Sequence, residues 1–282
     1  MTQVLQVVIN GILLGGIYAL LGVGMTMMFG IVKLTNLAHG EFVIIGAYAS
    51  TLLAQAMGVD PILTLVITIP LMFLIGMGLQ SGLINRVMMI GSEPALLVTF
   101  GISIILADAM LLLFSADAQR AKVPYNTASI RISEGLSISV LDLIVFGISL
   151  LTIIVLTLFL KKTYLGRSIR ATSDDTEAAS LRGVNVKRTY AIAMGIAMAT
   201  AAIAGLCVSM KWVYYPSSGG GYLLTAFGVV VIGGMGSIPG TLIAGLILGL
   251  AQVIGGANYG QLIAYILMVV FLAVRPQGLF SK

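Results

Sequence analysis

VLQVVINGILLGGIYALLGVGMTMM, residues Val4 to Met28, contains no charged side chain. A bilayer hydrocarbon core of about 30 Å needs ~20 apolar residues in helical form to cross it. The stretch therefore reads as a membrane span. No Lys or Arg precedes Lys33, so the basic opening of a secretory signal is missing and the run reads as an uncleaved first crossing. Similar runs follow at about Glu41–Met57, Pro61–Asn85, Ala95–Ser115, Val140–Leu160 and Tyr190–Trp212. After Trp212 the apolar tail from Tyr222 to Val274 is broken at Gly233-Gly234-Met235-Gly236 and again at Gly255-Gly256. Two good helices are expected there, near Pro239–Gly255 and Tyr259–Val274, with a short or broken segment near Tyr222–Gly234. The expectation is an all-α polytopic bundle of about eight spans plus one short broken or re-entrant segment. Residues 1–282 then form one transmembrane domain.

Composition agrees. Of 282 residues only 9% are charged, 59% are apolar, and the mean hydropathy is +1.10. Ordinary soluble domains carry roughly 25% charge, so a soluble enzyme, a disordered chain and a nucleic-acid binder are all excluded. The single cysteine, Cys207, cannot form an intramolecular disulfide. The single histidine, His39, has no cysteine near it, and no GxxxxGK[ST] loop occurs. Neither a metal, a cofactor nor a nucleotide site is expected on this chain.

Charge between spans sets orientation. Nothing basic precedes the first span and Lys33 follows it, which puts the N-terminus outside. Counting onward, Arg86 falls inside and Ala116–Ser139 outside. The segment Lys161–Arg188, with 7 of the 15 basic residues, falls inside. Arg120, Lys122 and Arg131, set against Asp117 and Glu134, run counter to the bias in the outer loop. Tyr164, Tyr190, Trp212, Tyr214 and Tyr215 stand where headgroup-level aromatics are expected. Arg275 and Lys282 favour an inner C-terminus, which needs an odd number of crossings after Trp212, and the apolar length that remains is tight for three full spans; a re-entrant segment would leave the tail outside.

The inner segment 161–188 is the one long polar insertion on its side. Asp174 is placed as a helix N-cap with Glu177 closing a capping box, and Gly183 supplies a left-handed C-cap. The chain between them makes about two helical turns, with Ala178, Ala179 and Leu181 as a small apolar face. A helix so short is unstable alone and must pack on something. Two readings stand: a solvated basic loop that fixes topology, and a docking element for a cytosolic partner.

Glu177-Ala178-Ala179-Ser180-Leu181-Arg182-Gly183 has the form E-A-A-x-x-x-G and resembles the loop of ATP-binding-cassette import permeases that meets the ATPase. Asn36-Leu37-Ala38-His39-Gly40-Glu41-Phe42 followed by Gly46-Ala47-Tyr48 resembles the N-terminal signature of the branched-chain amino acid permease family. Gly233-Gly234-Met235-Gly236-Ser237-Ile238-Pro239-Gly240 resembles its glycine signature, and Arg275-Pro276-Gln277-Gly278-Leu279-Phe280 its closing segment. The similarity runs nearly end to end and is to the shorter, LivH-type subunit. It implies half of a translocation pathway, completed by a second, longer permease. Two cytosolic ATPases and an extracytoplasmic binding protein would be the other partners, in a bacterial inner membrane. In that mapping Glu177, Ala178, Ala179, Leu181, Arg182 and Gly183 are the coupling residues.

Asn36, His39 and Glu41 lie where the first span hands over to the second. They line a gate or pathway in one reading. In the other they start a helix, with Asn36 as N-cap and Glu41 at its positive end. The dense patch Gly233, Gly234, Gly236, Pro239 and Gly240 breaks helix, and a broken backbone at membrane depth must be buried in protein or border a water-filled cavity. It is therefore expected beside the route or its gate. Asp108 is read as a proton-relay group, an ion-pair partner of Lys211, or a water-facing residue. Asn10, Gln80 and Gln252 are read as interhelical hydrogen-bond formers. Gly11/Gly15, Gly78/Gly82, Gly236/Gly240 and Gly245/Gly249 have the spacing that lets helices approach closely.

The leading expectation is the membrane subunit of an ATP-driven importer for branched-chain or related amino acids. The rivals are a self-sufficient secondary transporter and a relative that moves urea or short amides. A membrane-embedded enzyme lacks the residues for a nucleophile, base or metal constellation.

Overall fold

The computed structural model describes residues 2–133, 136–275 and 277–280. Glu134, Pro276 and Lys282, which entered the sequence reading, lie outside the described residues. In chain order the helices are α1 (Thr2–Val32), α2 (His39–Met57), α3 (Leu65–Leu79), α4 (Asn85–Met88), α5 (Ser92–Phe114), α6 (Val140–Lys162), α7 (Tyr164–Asp174), α8 (Thr176–Leu181), α9 (Val186–Lys211), α10 (Gly219–Gly233), α11 (Ile238–Ile254) and α12 (Gly256–Val274). A 3₁₀ turn, Pro61–Thr64, leads into α3, and a π turn, Gln80–Ile84, joins α3 to α4. A two-stranded antiparallel hairpin, β1 (Ser129–Ser133) and β2 (Leu136–Ser139), stands before α6. Among the described residues eight helical segments are long and apolar enough to cross a membrane, and α11 is a shorter apolar helix.

The helix α1 runs through the middle of the bundle, packed on α6, α9, α10 and α11. Glycine makes its seam with α11. A Cβ on Gly15 would lie 2.6 Å from the Leu246 Cα, one on Gly11 2.9 Å from the Leu250 Cα, and Gly249 abuts the Gly15 backbone. The pairs Gly11/Gly15 and Gly245/Gly249 thus face each other across one antiparallel contact. Gly78 and Gly82 have the same spacing, but nothing lies within 4 Å of their Cβ positions. Gly46 and Gly205 bring α2 and α9 together in the same way.

Two ends of the bundle are distinguishable. At one end Gln6 on α1 bonds the Ser137 backbone of the hairpin, Gln119 pairs with Tyr214, and Tyr125 donates to Asp60 at 3.2 Å. At the other end lie the C-terminal turn of α1, α7, α8 and the start of α9, where Asn85 donates to the Lys187 carbonyl. The chain after α12 returns to this same loop end. Leu279 N–H donates to the Ile232 carbonyl, and Gly278 packs on Gly234. Three helices, α10, α11 and α12, follow Trp212.

The segment expected to be short or broken, Tyr222–Gly234, lies in α10, an unbroken helix that at 15 residues is the shortest of the three, against 17 in α11 and 19 in α12. Tyr214 is also corrected: it is fully buried, not a headgroup-level ring. Its hydroxyl donates to Thr51 Oγ1 at 2.8 Å, and its ring meets Tyr48 edge-on at 4.9 Å. Gln252 does bridge helices, accepting from Tyr18, whereas Asn10 and Gln80 bond within their own segments, to Gln6 and Asn85.

Candidate functional site

The polar segment at the loop end folds as two helices rather than one. Thr163 caps α7 by accepting from Gly166 N–H at 2.9 Å, and Gly166 lies against the Leu160 backbone, so α7 turns back sharply from α6. The expected N-cap is corrected by one residue. Asp174 ends α7, and Asp175 caps α8, its Oδ1 accepting from Glu177 N–H at 2.9 Å and Ala178 N–H at 3.0 Å. A carboxylate here also favours the positive end of the helix. Gly183 has φ +84°, the left-handed C-cap expected of it, and Val184 N–H reaches back to the Ala179 carbonyl at 3.1 Å.

The apolar face expected from Ala178, Ala179 and Leu181 does not form as one face. Ala179 is buried, whereas Leu181 is 89% exposed. Glu177, Ser180, Arg182 and Gly183 are exposed with it. Beside it runs a groove of about 660 Å³ bordered by Met88, Met89, Thr176, Leu181 and Tyr190.

The contact from this segment into the bundle is specific. The Ser173 hydroxyl donates to the Gly30 carbonyl at the end of α1, and Gly30 in turn meets the Gly236 Cα. Gly233 faces Gly240, with a Cβ on Gly233 falling 2.6 Å from the Gly240 carbonyl carbon. The glycine patch is thus a place where backbones converge, and Ser237 caps α11 across it by accepting from Gly240 N–H at 3.2 Å. Pro239 occupies the first turn of α11, where a missing N–H costs nothing.

A second polar centre lies within the bundle. Helix α2 does not begin at the loop end. His39 Nε2–H donates to the Leu21 carbonyl at 3.1 Å, and its ring lies beside Gly24 and Thr200, which are mid-helix positions of α1 and α9. The chain from Lys33, itself left-handed at φ 54°, therefore enters the bundle as loop before turning helical. Asn36 is displaced from its expected role: its Oδ1 accepts from Ala38 N–H at 3.1 Å, which makes a local turn, and Ala38 is the N-cap without a side-chain bond. Glu41 does occupy the first turn of α2 and is buried. Its carboxylate lies against Gly219, where a Cβ has no room, and Gly40 touches the Gly219 carbonyl. The start of α10 thus meets the start of α2. Ser103 of α5 stands beside Glu41. Among the described residues Glu41 Oε2 and His39 Nδ1 are buried with no hydrogen-bond partner.

Asn36, His39 and Glu41 stand within one short stretch at the start of α2 but face different elements, Asn36 towards Met194 of α9, His39 towards Leu21 of α1 and Glu41 towards Gly219 of α10. Sequence reasoning missed Ser173 and Gly219. The run Gly219-Gly220-Gly221 was a visible signal; Ser173 carried none. Lys211 pairs with Asp142, not with Asp108, which corrects one of the expected pairings. Asp108 is exposed on α5.

A family model described as branched-chain amino acid transport system, permease component, matches residues 7–272. The chain is 32% identical to the high-affinity branched-chain amino acid transport permease BraD of Pseudomonas aeruginosa, over 99% of this chain and 96% of the relative. It is equally 32% identical, with the same coverage, to LivH of Escherichia coli K12, a permease of the same description. Among solved structures, PsaBC from Streptococcus pneumoniae in complex with Fab superposes with a TM-score of 0.52 at 14% identity, covering 96% of this chain and 91% of that one. That likeness concerns the fold.

Proposed function

Since this chain belongs to the branched-chain amino acid transport permease family, and is a permease component rather than an enzyme, we propose that it forms half of the translocation route of an ATP-driven importer for branched-chain or related amino acids. A second, longer permease supplies the other half. Two ATPases dock at the loop end, on the cytoplasmic side, and a soluble binding protein delivers solute at the hairpin end, where the N-terminus also lies. Residues 1–282 act as one transmembrane domain in a bacterial inner membrane. The observation that carries this reading is α8: a helix capped at both ends, with Ala179 anchored and Leu181 and Arg182 presented to the surroundings.

A motor can move spans only through a stiff contact. Asp175 and Gly183 make α8 stiff, Ser173 ties the adjoining α7 to α1, and Gly30 passes the contact to Gly236 in the glycine patch. Helix α1 then reaches the inner centre through Leu21 and His39. On this reading Asn36, His39 and Glu41 form the gate, and Gly233, Gly234, Gly236, Pro239 and Gly240 form the joint that lets α10 and α11 shift against α1. A pair of helix starts meeting within the bundle is an arrangement suited to a gate, since broken helices at membrane depth border transport sites in many transporters.

The test is reconstitution in proteoliposomes. Leucine uptake is expected only when both permeases, both ATPases, the binding protein and ATP are present. Uptake by this chain alone, driven by an ion gradient, would overturn the proposal in favour of a secondary transporter. ATP-driven uptake of urea or acetamide without leucine would keep the importer and replace the solute.

A further inference from the structure

Two neighbouring spans end together at the loop end. The spanning segment Pro61–Met88 finishes there, α9 starts there, and the two pack along α3. Arg86 stands in the last turn of the first, Lys187 and Arg188 in the first turn of the second. The ends of two adjacent crossings lie at headgroup depth, and the three cations lie there with them.

Between these ends is an open groove of about 430 Å³, with Met77, Ser81, Asn85, Arg86, Lys187 and Arg188 on its walls. Among the described residues no carboxylate borders it, and none of the three cations is in an ion pair. Asn85 ties one wall to the other, donating to the Lys187 carbonyl at 3.3 Å while accepting from Gln80 at 3.0 Å. The start of α9 is capped by Asn185 Oδ1, which accepts from Arg188 N–H at 3.0 Å, so the side chains carry the positive charge. Away from the cations the wall turns apolar. Met77 and Ser81, four residues apart, share one face of their helix, and Leu74, three residues before Met77, is 64% exposed. Met89, at the rim, is 74% exposed.

Uncompensated positive charge at headgroup depth, above an aliphatic track toward the bilayer centre, complements an anionic phospholipid. The phosphodiester meets the cations and an acyl chain follows the track. A zwitterionic lipid brings its own cation to the groove and forfeits the match. We infer that this groove binds the headgroup of an anionic phospholipid of the cytoplasmic leaflet, with Arg86, Lys187 and Arg188 on the phosphate and Met77 and Leu74 along the chain. The leaflet rests on the orientation proposed above; the binding itself does not depend on the solute. The groove shares Asn85, Met89 and Lys187 with the one beside α8, so a bound lipid borders the place where the motor docks.

The experiment uses the assembled transporter in detergent, freed of native lipid. It is titrated with phosphatidylglycerol and with phosphatidylcholine of the same acyl chains, and bound lipid is read by native mass spectrometry. Phosphatidylglycerol is expected to bind more tightly. Arg86→Gln, Lys187→Gln and Arg188→Gln are each expected to weaken it about five-fold, and the triple variant further, with phosphatidylcholine unaffected. A control triple, Lys161→Gln/Lys162→Gln/Arg170→Gln, removes the same charge from the same end outside the groove and is expected to stay within about two-fold. Equal affinity for the two lipids, or an equal loss in the control, overturns the proposal. Unchanged lipid affinity in the groove triple together with loss of the ATPases also overturns it, by making the groove a seat for an acidic surface of the motor. If the lipid preference responds as expected but the complex moves no amino acid, the lipid site stands and the amino acid reading falls.

Discussion

Ser173 of α7 donates its hydroxyl to the backbone carbonyl of Gly30, in the last turn of α1. These residues are 143 positions apart in sequence. The bond fastens the polar segment at the loop end to the helix around which the rest of the bundle packs.

That bond yields the first prediction. Ser173→Ala leaves α8 and its caps untouched, so ATPase association should persist. The link into α1 is lost, and uptake should fall several-fold relative to ATP hydrolysis. Measuring both rates on the same reconstituted preparation checks this; a proportional fall in both would place the defect in docking instead.

The glycine seams give a contrast within one protein. Gly15→Ala places a methyl 2.6 Å from the Leu246 Cα, and backbone has little room to yield. Overpacking of this kind should destabilise by about 1–3 kcal/mol. Gly78→Ala and Gly82→Ala meet nothing within 4 Å and should stay within about 0.5 kcal/mol for the isolated chain. Thermal unfolding in detergent, with the three variants side by side, reads the difference.

At the hairpin end, burial, and next to it the charge of Asp60, pushes the Tyr125 hydroxyl up to about 12. A raised value in the folded state means the contribution is complete below the unfolded value near 10 and is lost as pH rises through about 12. The contact of the 115–139 loop with Asp60 should therefore loosen between pH 10 and 12. Proteolytic nicking of that loop should rise over this interval in the native protein. Tyr125→Phe, which lacks the ionisable hydroxyl, should show raised nicking already at neutral pH and no step above pH 10.

Much of this architecture was legible beforehand. Uncharged runs gave the spans because lipid forces every backbone group into helix, and Gly183 gave the end of α8 because a left-handed residue is cheap only for glycine. The cap of α8 was misplaced by one residue because Asp174 and Asp175 are adjacent and chemically equal; only the return of the chain from α7 decides between them. The burial of Tyr214 and the Lys211–Asp142 pair were illegible because both depend on how α9 meets distant helices. The meeting of Glu41 with Gly219 was hidden for the same reason: residues 178 positions apart are joined by the bundle, and no local period announces it.

The docking role of α8 is tested most directly by photo-crosslinking in the assembled complex, with a benzophenone amino acid placed in turn at Leu181 and Ala179. The exposed Leu181 site should yield an adduct with an ATPase subunit, and the buried Ala179 site should yield only adducts within this chain. If Leu181 captures no ATPase while the complex is intact and transporting, the stub is not where the motor attaches.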